Sequence, residues 1–184
     1  SDITTSGGSL SNFTGSGTTY TATFTPTSTY SSVSINVVSG AFTDIAGNNN
    51  IAASEFNWTY DAIQPTMTIS STTSGVIDDS TTNDSSINLT FTSSKVTSSF
   101  TESDITVING SLSNFSGSGT TYTATFTPTG SGTTTNIDTT INVAEGAYTD
   151  LAGNNNTATS EFNWTYDTVP PVLTITSNTV SDGG

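Results

Sequence analysis

The chain has no cysteine, no histidine and no arginine, and Lys95 is the one basic residue among 184. Without thiols there is neither a disulfide framework nor a thiolate metal or redox site. Without histidine or a second lysine, a serine or threonine nucleophile lacks the usual base. A formal charge of −14 argues against nucleic acid as a partner and against an anionic membrane surface, because both would repel the chain. No apolar run approaches the roughly 20 residues of a membrane-spanning helix, and no basic, hydrophobic leader opens the sequence. The expectation is a segment of a longer chain with no direct membrane insertion. No stretch shows a helical period.

What is present is acidic and β-patterned. Fifteen aspartates and glutamates face one lysine, so fourteen carboxylates must meet water or a bound metal ion. Threonine, serine, asparagine and glycine alternate with valine, isoleucine, phenylalanine and tyrosine over short stretches, the period-2 signature of half-buried strands.

The chain is also internally repeated. Residues 1–27 match residues 103–129 at all but four positions, and residues 40–61 match 146–167 with four differences. The offset grows from 102 to 106 because GSGTTTNID carries about four extra residues. A period near 100 residues is a whole small domain in tandem, not a solenoid repeat. The proline-marked junctions YDAIQP and YDTVPP divide the chain into a partial repeat at 1–64, a complete one at 65–170, and at 171–184 the first strand of a following repeat.

Seven strands are predicted in the complete repeat, near 66–70, 86–92, 104–108, 111–115, 121–127, 139–144 and 160–166. Met67, Ile69, Ile87, Leu89, Phe91, Ile105, Val107, Leu112, Phe115, Tyr122, Ala124, Phe126, Ile141, Val143, Phe162, Trp164 and Tyr166 point inward. Seven short strands with turn signals between them make an all-β, immunoglobulin-like sandwich, so the chain reads as tandem sandwiches. By the same count residues 1–64 lack the first two strands, which leaves an apolar face open.

The succession FTESDITVINGSLSNFSGSGTTYTATFTPT, INVAEGAYTDLAGNNNTA and FNWTYDTVPP resembles the bacterial Ig-like repeats of large secreted adhesins and related surface proteins. The resemblance implies an extracellular location on the bacterial cell surface, a non-enzymatic extender role, and Ca²⁺ at domain junctions as a stiffener. Its partners would be neighbouring repeats of the same chain and other copies in a fibre.

The candidate metal ligands follow from strand directions. TDLAGNNN, with Asp150 and Asn154, falls at the end of the complete repeat nearest the incoming linker residue Asp61. Glu102 and Asp104 lie in a loop at the same end. Ca²⁺ takes six to eight oxygen ligands, which such a cluster supplies, and Gly153 lets the backbone turn tightly. The equivalent positions in the partial repeat are Asp44 and Asn48, and the next linker carries Asp167. Asp78, Asp79 and Asp84 lie at the opposite end, near Asp167. The plainer reading of D-L-A-G-N is a polar turn whose side chains bond their own backbone.

Other readings stay beside these. Thr121, Thr123 and Thr125, like Thr19, Thr21 and Thr23, face outward and could bind glycan or ice, although threonine is also an ordinary solvent-face strand residue. Trp58 and Trp164 suit a core better than a sugar platform. Paired carboxylates could hydrolyse glycosides, but their repetition in each unit fits junctions better than an active site. PPVLTITSN is equivalent to QPTMTISST, so either the chain is a window on a longer array or this segment completes the open repeat of another copy by strand addition.

Overall fold

A computed structural model describes residues 2–130 and 136–179. The chain folds as two units, Ser1–Ile63 and Gln64–Gly184. The extra residues of GSGTTTNID and the last residues of the third piece lie mostly outside the described residues.

The first unit contains β1 (Thr4–Ser6), β2 (Gly8–Ser16), β3 (Thr19–Pro26), β4 (Tyr30–Asn36) and β5 (Phe56–Asp61). β2 and β3 form a hairpin, and β1, β4 and β5 form a separate three-stranded sheet in the order β1-β4-β5. The alternation of Tyr20, Ala22 and Phe24 with threonine puts one apolar face on β3, and Phe24 meets Trp58 of β5 edge-on at 5.0 Å.

The second unit contains β6 (Met67–Ser71), β7 (Ser80–Thr82), β8 (Ile87–Ser93), a 3-10 turn at Glu102–Asp104, β9 (Ile105–Ile108), β10 (Gly110–Ser118), β11 (Thr121–Pro128), β12 (Ile137–Val143) and β13 (Phe162–Tyr166). These make two four-stranded sheets, β10-β11-β8-β6 and β7-β13-β12-β9. Their facing residues form one core, with Phe91, Phe126 and Ile141 fully buried and Trp164 set edge-on to Phe126 at 4.6 Å. Every residue expected to point inward is buried or half-buried in this unit. Alternation works here because each sheet has one dry and one wet face, so the strand period of two separates the two sets cleanly.

Three features depart from the expected strands. Residue 104 belongs to the 3-10 turn, and strand ends elsewhere move by a residue or two or more, as for β10. An eighth strand, β7, pairs parallel with β13 through Trp164↔Ser80 to Tyr166↔Thr82. Its Ser-Thr-Thr sequence has no apolar residue, so periodicity could not reveal it. Among the described residues the first unit shows counterparts of β9 to β13 and none of β6, β7 or β8.

Phe100 was also not anticipated. It lies in irregular backbone after β8, is 6% exposed, and stands edge-on to Phe115, Tyr122 and Tyr148 with centroids 5.0–5.7 Å apart. One aromatic side chain thus closes the end of the sandwich where the TDLAGNNN loop sits.

Candidate functional site

TDLAGNNN is a closed loop held from within. The Asp150 amide donates to the Asn154 carbonyl and the Gly153 amide to the Asp150 carbonyl, each at 3.1 Å. Gly153 sits at φ +87°, a left-handed conformation that glycine adopts without steric cost. The side chain of Asp150, a residue only 3% exposed, fills the concave side: Oδ1 accepts the Ala152 and Asn154 amides at 2.9 Å, and Oδ2 accepts Asn154 Nδ2 at 3.1 Å. Lys95 Nζ completes the set, donating to Oδ2 at 3.0 Å. Burial alone would raise the carboxyl pKa, but hydrogen bonds from Asn154 and the Lys95 ammonium outweigh it and hold it at about 2.

The last asparagine of the motif does a second job. Asn156, fully buried, accepts the Tyr148 amide on Oδ1 at 2.9 Å and donates Nδ2 to the carbonyls of Ala144 at 2.8 Å and Thr157 at 2.7 Å. The Tyr148 amide is buried and would otherwise lack this partner, a cost comparable to a lost hydrogen bond. Three adjacent asparagines look alike in sequence, and nothing in that run singled out Asn156.

The first unit repeats the network. Asp44 accepts the Asn48 amide at 2.8 Å and Asn48 Nδ2 at 3.0 Å, while Asn50 accepts the Phe42 amide at 3.0 Å and donates to Val38 and Ile51 at 2.9 and 2.8 Å. The Asn48 side chain, foremost among these bonds, lowers the Asp44 pKa. The motif is therefore a folding staple in both copies: aspartate locks the tight turn and asparagine locks the loop to its flanks. The polar-turn reading describes what the side chains do.

The loop is docked at the expected end of the second unit. Thr97 bridges Asp150, the Ser98 amide donates to the Thr149 carbonyl at 3.0 Å, and the Thr157 amide donates to the Pro65 carbonyl at 3.0 Å. The connection that carries these partners, and Lys95, runs on into the turn bearing Glu102 and Asp104. Asp104 Oδ2 accepts the Thr101 amide at 2.7 Å and caps that turn, and Glu102 is exposed.

The linker aspartates are alike. Asp61 Oδ1 accepts the Ile63 amide at 3.0 Å, and Asp167 Oδ1 accepts the Val169 amide at 2.8 Å. Each folds its linker into the same short turn. At the other end, Asp167 donates its amide to the Thr82 carbonyl at 2.9 Å, whereas Asp78 accepts the Asn163 amide at 2.7 Å, further back along β13. Asp78 and Asp79 therefore do not gather with Asp167.

Of the candidate ligands, the structure joins Asp150 to Asn154 and Asp44 to Asn48, and it sets Glu102 and Asp104 on one turn. Among the described residues no three carboxylates stand close enough to hold a metal. The Asp150–Asn154 pair itself does not fit a calcium ion, because N–H donors, one of them an ammonium, already surround the carboxylate where the ion would need oxygens.

A family model described as a bacterial Ig-like domain matches residues 1–60 and again 61–166. No curated protein and no solved structure matches the chain.

Proposed function

Because the chain belongs to the bacterial Ig-like domain family, we propose that it is a non-enzymatic extender segment of a bacterial cell-surface adhesin or extracellular fibre. Bacterial Ig-like domains suggest surface or extender-type repeats, are often part of surface or extracellular proteins, and are typically non-enzymatic. Among the described residues no helix is long and apolar enough to cross a membrane.

The observation that carries the proposal is the duplicated loop network. Two copies of one module keep the same aspartate and asparagine staples and the same aspartate-turned linker. Repeating a device that shapes both the body and its exit suits a part whose work is to be a stiff, stackable unit.

Calcium at the junctions belongs to the proposal. Asp61 with Glu102 and Asp104 would serve one junction and Asp167 the next, with Asp150 and Asp44 acting as loop anchors; the ion would have to draw these carboxylates together, since among the described residues no three of them already stand close enough to hold it. The fifteen carboxylates against one lysine supply the electrostatic reason, since a divalent cation relieves their mutual repulsion.

The test is thermal unfolding of the chain in calcium and in EDTA. A ligand that binds only the native state raises stability by mass action, so at a concentration about 100 times Kd the gain is roughly 2.7 kcal/mol. Calcium is expected to raise the melting temperature, and Asp61→Ala is expected to remove much of the rise. Coincident melting curves would end the calcium part and leave a spacer stiffened by its linker alone.

A further inference from the structure

Among the described strands of the second unit, only β7 carries no apolar residue, so it adds nothing to the core. It is nevertheless the strand that meets β13, the last strand before the outgoing linker, from Trp164↔Ser80 to Tyr166↔Thr82. The two run parallel, so the start of β7 and the end of β13 lie at opposite ends of their ladder.

The ladder continues on both sides of β7. Before it, the Asp79 amide donates to the Asn163 carbonyl at 2.8 Å, and the Asn163 amide donates to Asp78 Oδ1 at 2.7 Å. A side-chain oxygen thus supplies an acceptor where the strand has not yet begun. After it, the Asp167 amide donates to the Thr82 carbonyl at 2.9 Å. The turn that presents the two aspartates is closed on itself: the Ser80 amide and hydroxyl both donate to the Ile77 carbonyl, at 3.1 and 2.6 Å. Asp79 is held at φ +61°, a left-handed conformation uncommon outside glycine.

The chain enters this unit through β6 and leaves it through β13. Tension along the polypeptide therefore draws the start of β7 back toward the incoming linker and the end of β13 forward into the outgoing one. Parallel strands pulled in opposite directions along a shared axis load their evenly spaced cross-strand bonds together. A hairpin pulled at its open end gives way one bond at a time.

We propose that the β7–β13 ladder is the mechanical clamp of this repeat, the contact that must break before tension unfolds it, and that Asp78 extends the clamp by one charge-assisted bond. Such a role accounts for a strand that buries no apolar side chain, because backbone bonds resist shear without one. The clamp rests on the extender reading for the source of its load. The pulling experiment applies that load directly, so its failure is a failure of the clamp and leaves that reading standing.

Constant-force unfolding of the 184-residue chain, held through Gln64→Cys and Val172→Cys, tests the clamp; the chain has no other cysteine to compete for the handles. Forced unfolding reads the unfolding rate. Asp78→Ala is expected to raise that rate about tenfold at a given load, the size of one hydrogen bond to a charged group. Asp78→Asn keeps an oxygen acceptor and is expected to lose less. Lys95→Met weakens the TDLAGNNN loop at the other end, which is still intact when the clamp breaks, and is expected to leave the rate within about twofold. Moving the first handle from Gln64 to the exposed Ser74, as Ser74→Cys, takes β6 out of the load path and keeps β7 in it, so the rate is expected to hold. Asp78→Ala unfolding no faster than wild type under load would overturn the proposal. Equal acceleration by Lys95→Met would overturn it in favour of general stability, and a collapse of resistance with the handle at Ser74 would overturn it in favour of β6.

Discussion

Lys95 offers the sharpest test of how the second unit is held together. Its ammonium lies 3.0 Å from an Asp150 oxygen, with side-chain exposures of 23% and 2%. A surface ion pair contributes roughly 0–1 kcal/mol, and breaking a fully buried one costs roughly 3–5 kcal/mol. This pair sits between those limits: the carboxylate is buried, water still reaches the lysine, and three N–H donors remain on Asp150 when the lysine is removed. Lys95→Met is therefore expected to cost about 2 kcal/mol. With a urea dependence of roughly 1–3 kcal/mol per molar, that moves the midpoint down by about 1 M. Unfolding followed through Trp164 in a Trp58→Phe background reports on the second unit. A double-mutant cycle with Asp150→Asn is expected to give a coupling of about 1–2 kcal/mol. A coupling below about 0.3 kcal/mol would refute the reasoning and reduce the pair to a surface accessory.

Three further outcomes follow from the same loop. Asp150 has a pKa of about 2 against an ordinary 3.8, so the stability it contributes is complete above about pH 4 and is lost as pH falls toward 2. That loss amounts to at most about 2.5 kcal/mol, less what solvent at Lys95 screens, and Asp150→Asn should remove this part of an acid unfolding profile. Asn156→Ala removes three side-chain hydrogen bonds, one of them to the buried Tyr148 amide, and is expected to cost about 2–4 kcal/mol in urea unfolding, with Asn50→Ala costing less in its more exposed setting. Gly153→Ala forces a Cβ into φ +87° and is expected to cost about 1–2 kcal/mol, measured the same way.

Strand content was legible wherever a strand has one wet and one dry face. β8 and β11 show it plainly, because Ile87, Leu89 and Phe91, and Tyr122, Ala124 and Phe126, alternate with polar residues. β7 was not legible, since it joins its sheet by backbone bonds at an edge and buries no apolar side chain. Phe100 was missed because irregular backbone has no period to read. The loop's position was legible from strand direction, and in sequence its aspartate is open to two readings, a metal ligand or the lock of a polar turn. The one lysine that answers Asp150 comes from 55 positions earlier in the chain, and only folding brings the two together. Asn156 was hidden for a different reason: its three bonds are all to backbone, and backbone partners leave no residue-type signature.

The most direct test of the extender proposal is small-angle scattering of the chain in millimolar calcium and after chelation. A junction tied by Asp61, Glu102 and Asp104 around a calcium ion predicts a sharply bounded distance distribution in calcium that broadens in EDTA, with Asp61→Ala giving the broadened profile in both. Profiles that superimpose in calcium and EDTA would contradict calcium as the stiffening element.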